Sequence, residues 1–159
     1  MQRSFVYYGQ IRGQGRPRTR VMKTGKGYAA IVYKDEKDRE YEYMIACAYQ
    51  VKHQSVEPIS GAFGIQIKAI VEPPKSATQK RRSQMLLGYV KPTVKPDLDN
   101  VCKAVLDSLN GVAFTDDRNC TNITATKTYG EEERLEITLT YEVNEDGKST
   151  LETDAGSSA

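Results

Sequence analysis

The residues best equipped for chemistry are aspartates. The run Lys95-Pro96-Asp97-Leu98-Asp99-Asn100 sets two carboxylates two positions apart, Lys103 follows Asp99 by four residues, and Asp116-Asp117 stand beyond the next apolar stretch. At 100° per residue, Asp99 and Lys103 lie about 40° apart on one side of a helix. A loop over 112–117 that turns back along that helix would carry the second acidic pair toward the first, so that three carboxylates converge. Like charges held within a few ångströms raise one another's pKa unless a cation neutralises them. An acid cluster without histidine therefore suits a hard divalent ion with oxygen ligands, Mg²⁺ or alternatively Mn²⁺. A plainer account of the same letters makes Asp97 a helix cap, Asp99 and Lys103 an exposed pair worth ~0.3–0.5 kcal/mol, and Asp116-Asp117 a turn. Spacing alone leaves both accounts open.

Other chemistries are short of residues. His53 is the only histidine, which excludes an HExxH site, and the sequence context that a Ser-His-Asp triad needs around its histidine is absent. Thr24-Gly25-Lys26 resembles the end of a P-loop, but Arg20 stands where its first glycine belongs. Cys47, Cys102 and Cys120 are odd in number and have no metal-binding spacing, which predicts reduced, packed thiols.

The elements that must position the aspartates follow from periodicity. Leu98, Val101, Cys102, Val105, Leu106 and Leu109 form one apolar helical face, which predicts a helix over about 98–110, capped by Asp97 and ended by Asn110-Gly111. Tyr41, Met44, Ile45 and Ala48 predict an earlier helix over about 35–52, and a short third helix is expected near 78–87. Alternation predicts strands over 4–11, 28–33, 63–71, 119–129 and 134–143, the last two joined as a hairpin at Gly130. The glycines and proline of Gly13-Gln14-Gly15-Arg16-Pro17 predict that the basic arm after the first strand is a loop.

The formal net charge of +2 conceals segregation. Residues 1–34 hold eight cations and no acid, and residues 73–96 hold six more, again with no acid. Two acid-free basic segments fit a polyanion, because lysine and arginine that neutralise phosphates release condensed counterions. Residues 144–159 carry a single leucine among Asn, Asp, Glu, Gly, Ser and Thr, which predicts a disordered polar tail. With a mean hydropathy of −0.60, no apolar run near 18 residues and no signal-peptide pattern in MQRSFVYYGQ, no membrane association is expected, and the chain reads as cytoplasmic.

The stretch KPDLDNVCKAVLDSLNGVAFTDD, residues 95–117, resembles the core of the RusA family of Holliday junction resolvases. A DxDN opening, a lysine one turn later, an apolar helix ending in Asp, a short loop and an Asp-Asp pair keep that order. Gly15-Arg16-Pro17-Arg18 and Lys127 are similar to basic positions of the family. The resemblance implies an α+β fold, with residues 1–143 as a single small domain whose mixed β-sheet packs against two main helices. It implies a homodimeric, Mg²⁺-dependent endodeoxyribonuclease of bacterial or phage origin that resolves four-way DNA junctions by paired nicks. Asp97, Asp99 and Asp117 would bind metal, with Asp116 the alternative to Asp117, and Lys103 would be the essential basic residue. Arg16, Arg18, Lys80, Arg81, Lys95, Lys103 and Lys127 would contact DNA. The rival readings are a branched-DNA-binding protein without catalysis and a PD-(D/E)xK nuclease. The second places its lysine at Lys148, inside the predicted tail.

Overall fold

The computed structural model describes residues 1–15 and 18–143. In chain order the elements are β1 (Gln2–Tyr8), β2 (Arg18–Thr24), β3 (Gly27–Tyr33), α1 (Glu36–Lys52), β4 (Phe63–Val71), α2 (Gln79–Leu86), α3 (Leu98–Leu109), a 3₁₀ turn (Asp117–Asn119), β5 (Cys120–Tyr129) and β6 (Arg134–Tyr141). The expected α+β class is observed, with one four-stranded mixed sheet and two principal helices. The predicted tail over 144–159, and Arg16, lie outside the described residues.

The main sheet runs β1-β6-β4-β5, with β4 parallel to β5 and antiparallel to β6. Period-2 alternation decides which face is covered. Phe5 and Tyr7 on β1, Leu135, Ile137 and Leu139 on β6, and Phe63, Ile65, Ile67 and Ala69 on β4 are buried. They meet Tyr41, Ile45 and Tyr49 from α1 and Val101, Ala104, Val105 and Leu109 from α3 in one core. Each large aliphatic side chain enclosed there contributes ~1.5–3 kcal/mol. The opposite face, through Ser4, Gln66, Lys68, Thr138 and Thr140, is polar, as an antiparallel sheet with one wetted side requires.

Three expectations are corrected. First, β5 and β6 are not a hairpin, because β4 lies between them and the 130–133 link crosses its end, with the Gly130 amide donating to the Val71 carbonyl at 3.0 Å. Alternation identifies a strand's faces but not its neighbour. Second, the basic arm is not a loop after residue 17. Arg18–Thr24 pairs antiparallel with Gly27–Tyr33 around a Gly25-Lys26 turn, in which the Thr24 hydroxyl donates to the Gly27 carbonyl at 3.1 Å. Two residues including glycine are what a tight hairpin needs. Third, β1 ends at Tyr8 and not at Ile11, since Gly9 takes a φ of +146° that leaves the ladder.

The β2–β3 ribbon and α2 differ from the rest. All fourteen strand residues of the ribbon are exposed, and neither the ribbon nor α2 makes extended contact with another helix or strand. Among the described residues, the ribbon is fixed by ion pairs at its base. Lys34 is ion-paired to Glu42 and, at 3.1 Å, to Asp107, while Arg18 pairs with Asp35 at 2.8 Å. The acid-free segments of the sequence thus become two projections from the helix-backed sheet.

Candidate active site

The Asp97–Asp99 segment begins α3. Asp97 occupies the N-cap position with extended backbone but makes no side-chain capping bond, which corrects the expected role. Asp97, Asp99 and Lys103 are exposed, and among the described residues their side chains make no hydrogen bond or ion pair within the chain. Asp99 and Lys103 do not close the salt bridge that the plainer account requires. Two carboxylates are thus left free where the chain turns into a rigid helix.

That turn is held from two sides. On one, Lys127 Nζ donates to the carbonyls of Val94 at 2.6 Å and Pro96 at 2.9 Å. On the other, the Gln14 amide donates to the Asn100 carbonyl at 3.1 Å, and the Gln14 side chain donates to Asp107. Gly13 makes this approach possible, because a Cβ there would lie 2.8 Å from Asn100 Cβ. A cleft of about 370 Å³ opens between the two, lined by Gln10, Gly13, Gln14, Lys95, Asp97 and Glu133. The Glu133 carboxylate accepts the Ile11 amide at 2.8 Å and so ties the β5–β6 link to the same region. Gln14, Lys34 and Glu133 were not anticipated. The signal available for Gln14 was its place between two glycines.

The second acidic pair lies elsewhere. The segment after α3 is drawn to the start of β4, where Phe114 is fully buried and stacks on Phe63 with ring centroids 4.4 Å apart. Ile59 brackets it, its amide donating to Ala113 at 2.9 Å and its carbonyl accepting from Thr115 at 2.9 Å. Asp116 and Asp117 therefore precede β5 at its Cys120 end, whereas Asp97 neighbours Lys127. Seven residues of extended strand separate those positions, roughly 23 Å. The expected return of the 112–117 loop along the helix does not occur within one chain, since burying Phe114 directs the loop away from it. In keeping with this, no group of three or more His, Cys, Asp or Glu among the described residues is placed to hold a metal ion.

Asp116 and Asp117 are not equivalent. Asp116 accepts the Arg118 amide at 2.9 Å and pairs with its guanidinium at 2.8 Å, and these contacts hold its carboxyl below the usual carboxylate range. Asp117 is exposed at the start of the 3₁₀ turn. The thiols respond to the neighbouring acids: burial and then the Asp99 charge push Cys102 up, and burial with a contribution from Asp117 does the same for Cys120. All three cysteines are free and half-buried, as expected.

Of the basic residues singled out, Lys80, Arg81 and Lys95 are exposed on and after α2, and among the described residues they form no ion pair. Arg18 is engaged by Asp35, and Lys127 by backbone carbonyls. Arg20, Lys23 and Lys26 on the ribbon are exposed as well, and no helix is long and apolar enough to cross a membrane among the described residues.

Residues 9–140 match the family model described as Endodeoxyribonuclease RusA. The chain is also 31% identical over 137 residues to "Uncharacterized protein YqaN" of Bacillus subtilis (strain 168), a similarity covering 85% of this chain and 93% of that protein.

Proposed function

The chain belongs to the RusA endodeoxyribonuclease family, and from that premise we propose that it is a divalent-metal-dependent, homodimeric endonuclease that resolves four-way DNA junctions by paired nicks. The observation that carries the reading is the pair of exposed carboxylates, Asp97 and Asp99, unpartnered among the described residues, at the start of a helix whose chain also projects two basic elements.

The donor set fits a hard cation: carboxylate oxygens, no histidine or cysteine among the predicted ligands, and, among the described residues, no protein cation paired with Asp97 or Asp99. Mg²⁺ is the preferred ion and Mn²⁺ the alternative. Asp97, Asp99 and Asp117 would hold it. Asp117 is favoured over Asp116, whose oxygens Arg118 already occupies. A bound divalent ion supplies an activated water and neutralises charge developing on the scissile phosphate. Lys103, exposed one turn beyond Asp99, adds a mobile cation on the same side for the phosphate or leaving oxygen. Lys80, Arg81, Lys95 and the ribbon cations hold backbone phosphates without reading sequence.

The separation of the two acidic pairs makes the dimer part of the site. A twofold that runs α3 antiparallel to its copy brings Asp97 and Asp99 of one chain toward Asp117 of the partner subunit. It also generates two equivalent sites for the two strands to be nicked. Mixing tests this directly. Asp97→Asn and Asp117→Asn are each expected to be inactive as homodimers, yet a refolded mixture, roughly half heterodimer on statistical pairing, regains single-strand nicking, because one composite site in each heterodimer is intact. A mixture as inactive as its components shows that no site is shared between subunits, and junctions left whole by the parent with Mg²⁺ or Mn²⁺ defeat the nuclease reading.

A further inference from the structure

We propose that Lys127 is a positioning residue for the metal-binding aspartates and not a DNA-phosphate contact; this rests on the metal reading above. Its position on β5 is the first reason. The register pairs Ile65 with Ile123, Ile67 with Ala125, Ala69 with Lys127 and Val71 with Tyr129, so Lys127 stands in the row that faces the helices, where its neighbours are apolar. A lysine is expensive there unless its ammonium is satisfied. Its partners are the second reason. Nζ donates to Val94 and Pro96 at 2.6 and 2.9 Å, two carbonyls two residues apart in the segment that leads into Asp97. Two of three ammonium protons are thereby used on backbone, where they fix the path of the chain immediately before the DxD pair.

The opposing contact completes the device. The Gln14 amide holds the Asn100 carbonyl just after the pair, so residues 94–100 are anchored to β5 at one end and to the loop after β1 at the other. Asp97 and Asp99 lie between these anchors with no side-chain bond of their own among the described residues. Their placement depends on the backbone, and groups that fix metal ligands from behind typically change metal affinity about ten- to a hundredfold when removed. Lys127 is half-buried, which suits this role better than capture of a phosphate from solution.

The test compares the parent dimer with Lys127→Met, which keeps the apolar stem, and Lys127→Arg, which keeps two donors. Mn²⁺ uptake is measured calorimetrically, and junction binding in EDTA is followed across a salt series. Lys127→Met is expected to bind Mn²⁺ about ten- to a hundredfold more weakly, to lose kcat with KM for the junction held, and to keep the parent's salt slope. Lys127→Arg restores most of the Mn²⁺ affinity. A salt slope smaller by about 0.9 with Mn²⁺ binding unchanged makes Lys127 a phosphate contact and overturns the inference. Unchanged Mn²⁺ binding and slope with only a lowered melting temperature overturns it in favour of a purely structural role. Should Lys127→Met not fold, Lys127→Gln, with a shorter, uncharged donor group, is expected between parent and loss, and parent-like Mn²⁺ uptake by it is equally fatal. A parent that takes up no Mn²⁺ removes the metal reading itself, an outcome distinct from parent uptake that Lys127 variants leave unaltered.

Discussion

The two ends of α3 carry the same kind of residue and treat it in opposite ways. At the N-terminal end, Asp97 and Asp99 are exposed and, among the described residues, unpartnered, while the backbone around them is anchored by Lys127 and Gln14. At the far end the chain is anchored by buried Phe114, and one carboxylate, Asp116, is consumed by Arg118 while Asp117 is exposed. The difference teaches that a carboxylate's sequence context says little about its availability. What decides is whether backbone contacts fix the segment, leaving the side chain free, or the side chain does the fixing.

The largest effect expected from breaking this contrast is catalytic. Asp97→Asn or Asp99→Asn should lower junction cleavage at least about a hundredfold, the scale on which single transition-state-stabilising groups are felt. Asp117→Asn should match them, while Asp116→Asn should retain most activity; equal losses for both members of the pair would erase the asymmetry. Next in size is DNA binding. Replacing Arg20, Lys23 and Lys26 together by Gln should reduce the salt slope of junction binding by roughly three, at about 0.9 per phosphate contact, if the ribbon touches DNA. An unchanged slope would leave the ribbon without that role.

Two smaller effects concern the anchors. Gly111 follows α3 with a φ of +75°, so Gly111→Ala should cost about 1 kcal/mol in urea unfolding without altering the folded site. At the ribbon base, burial pulls Lys34 down, but its bonds to Glu42 and Asp107 outweigh this and leave its pKa above the usual 10.5. A raised folded-state pKa contributes stability below 10.5 that is lost as pH rises through the higher value, so stability should fall slightly in that range for the parent and not for Lys34→Met.

Much of the molecule was legible in the sequence where burial enforces a period. α3 and β4 lie within a residue of their predicted spans because each presents one unbroken apolar row to the core. α2 was recognisable from Thr78, whose hydroxyl accepts the Arg81 amide. The ribbon was legible only in β3, predicted over 28–33; with both faces exposed, Arg18–Thr24 has no apolar row to betray a strand, and only its pairing with β3 makes it one. Asp97 and Asp99 stood out by spacing. The distance from them to Asp117 did not, because it depends on where Phe114 is buried and on which side of β4 the next strand lies. Lys127 was noticed for its charge, while its partners are carbonyls thirty-odd residues earlier.

The place of β6 has a consequence for how the molecule comes into being. It is the last of the described strands along the chain, yet it sits inside the sheet between β1 and β4, where it joins the first strand to the fifth element. Neither neighbour can complete its ladder before β6 arrives, and pairing Gln2 with Thr140 closes nearly the whole chain. Such contacts between distant residues slow folding and postpone cooperativity until β6 has been made. A growing chain can form α1 and α3 early, but the sheet that carries their apolar faces is completed only once residue 141 has been made.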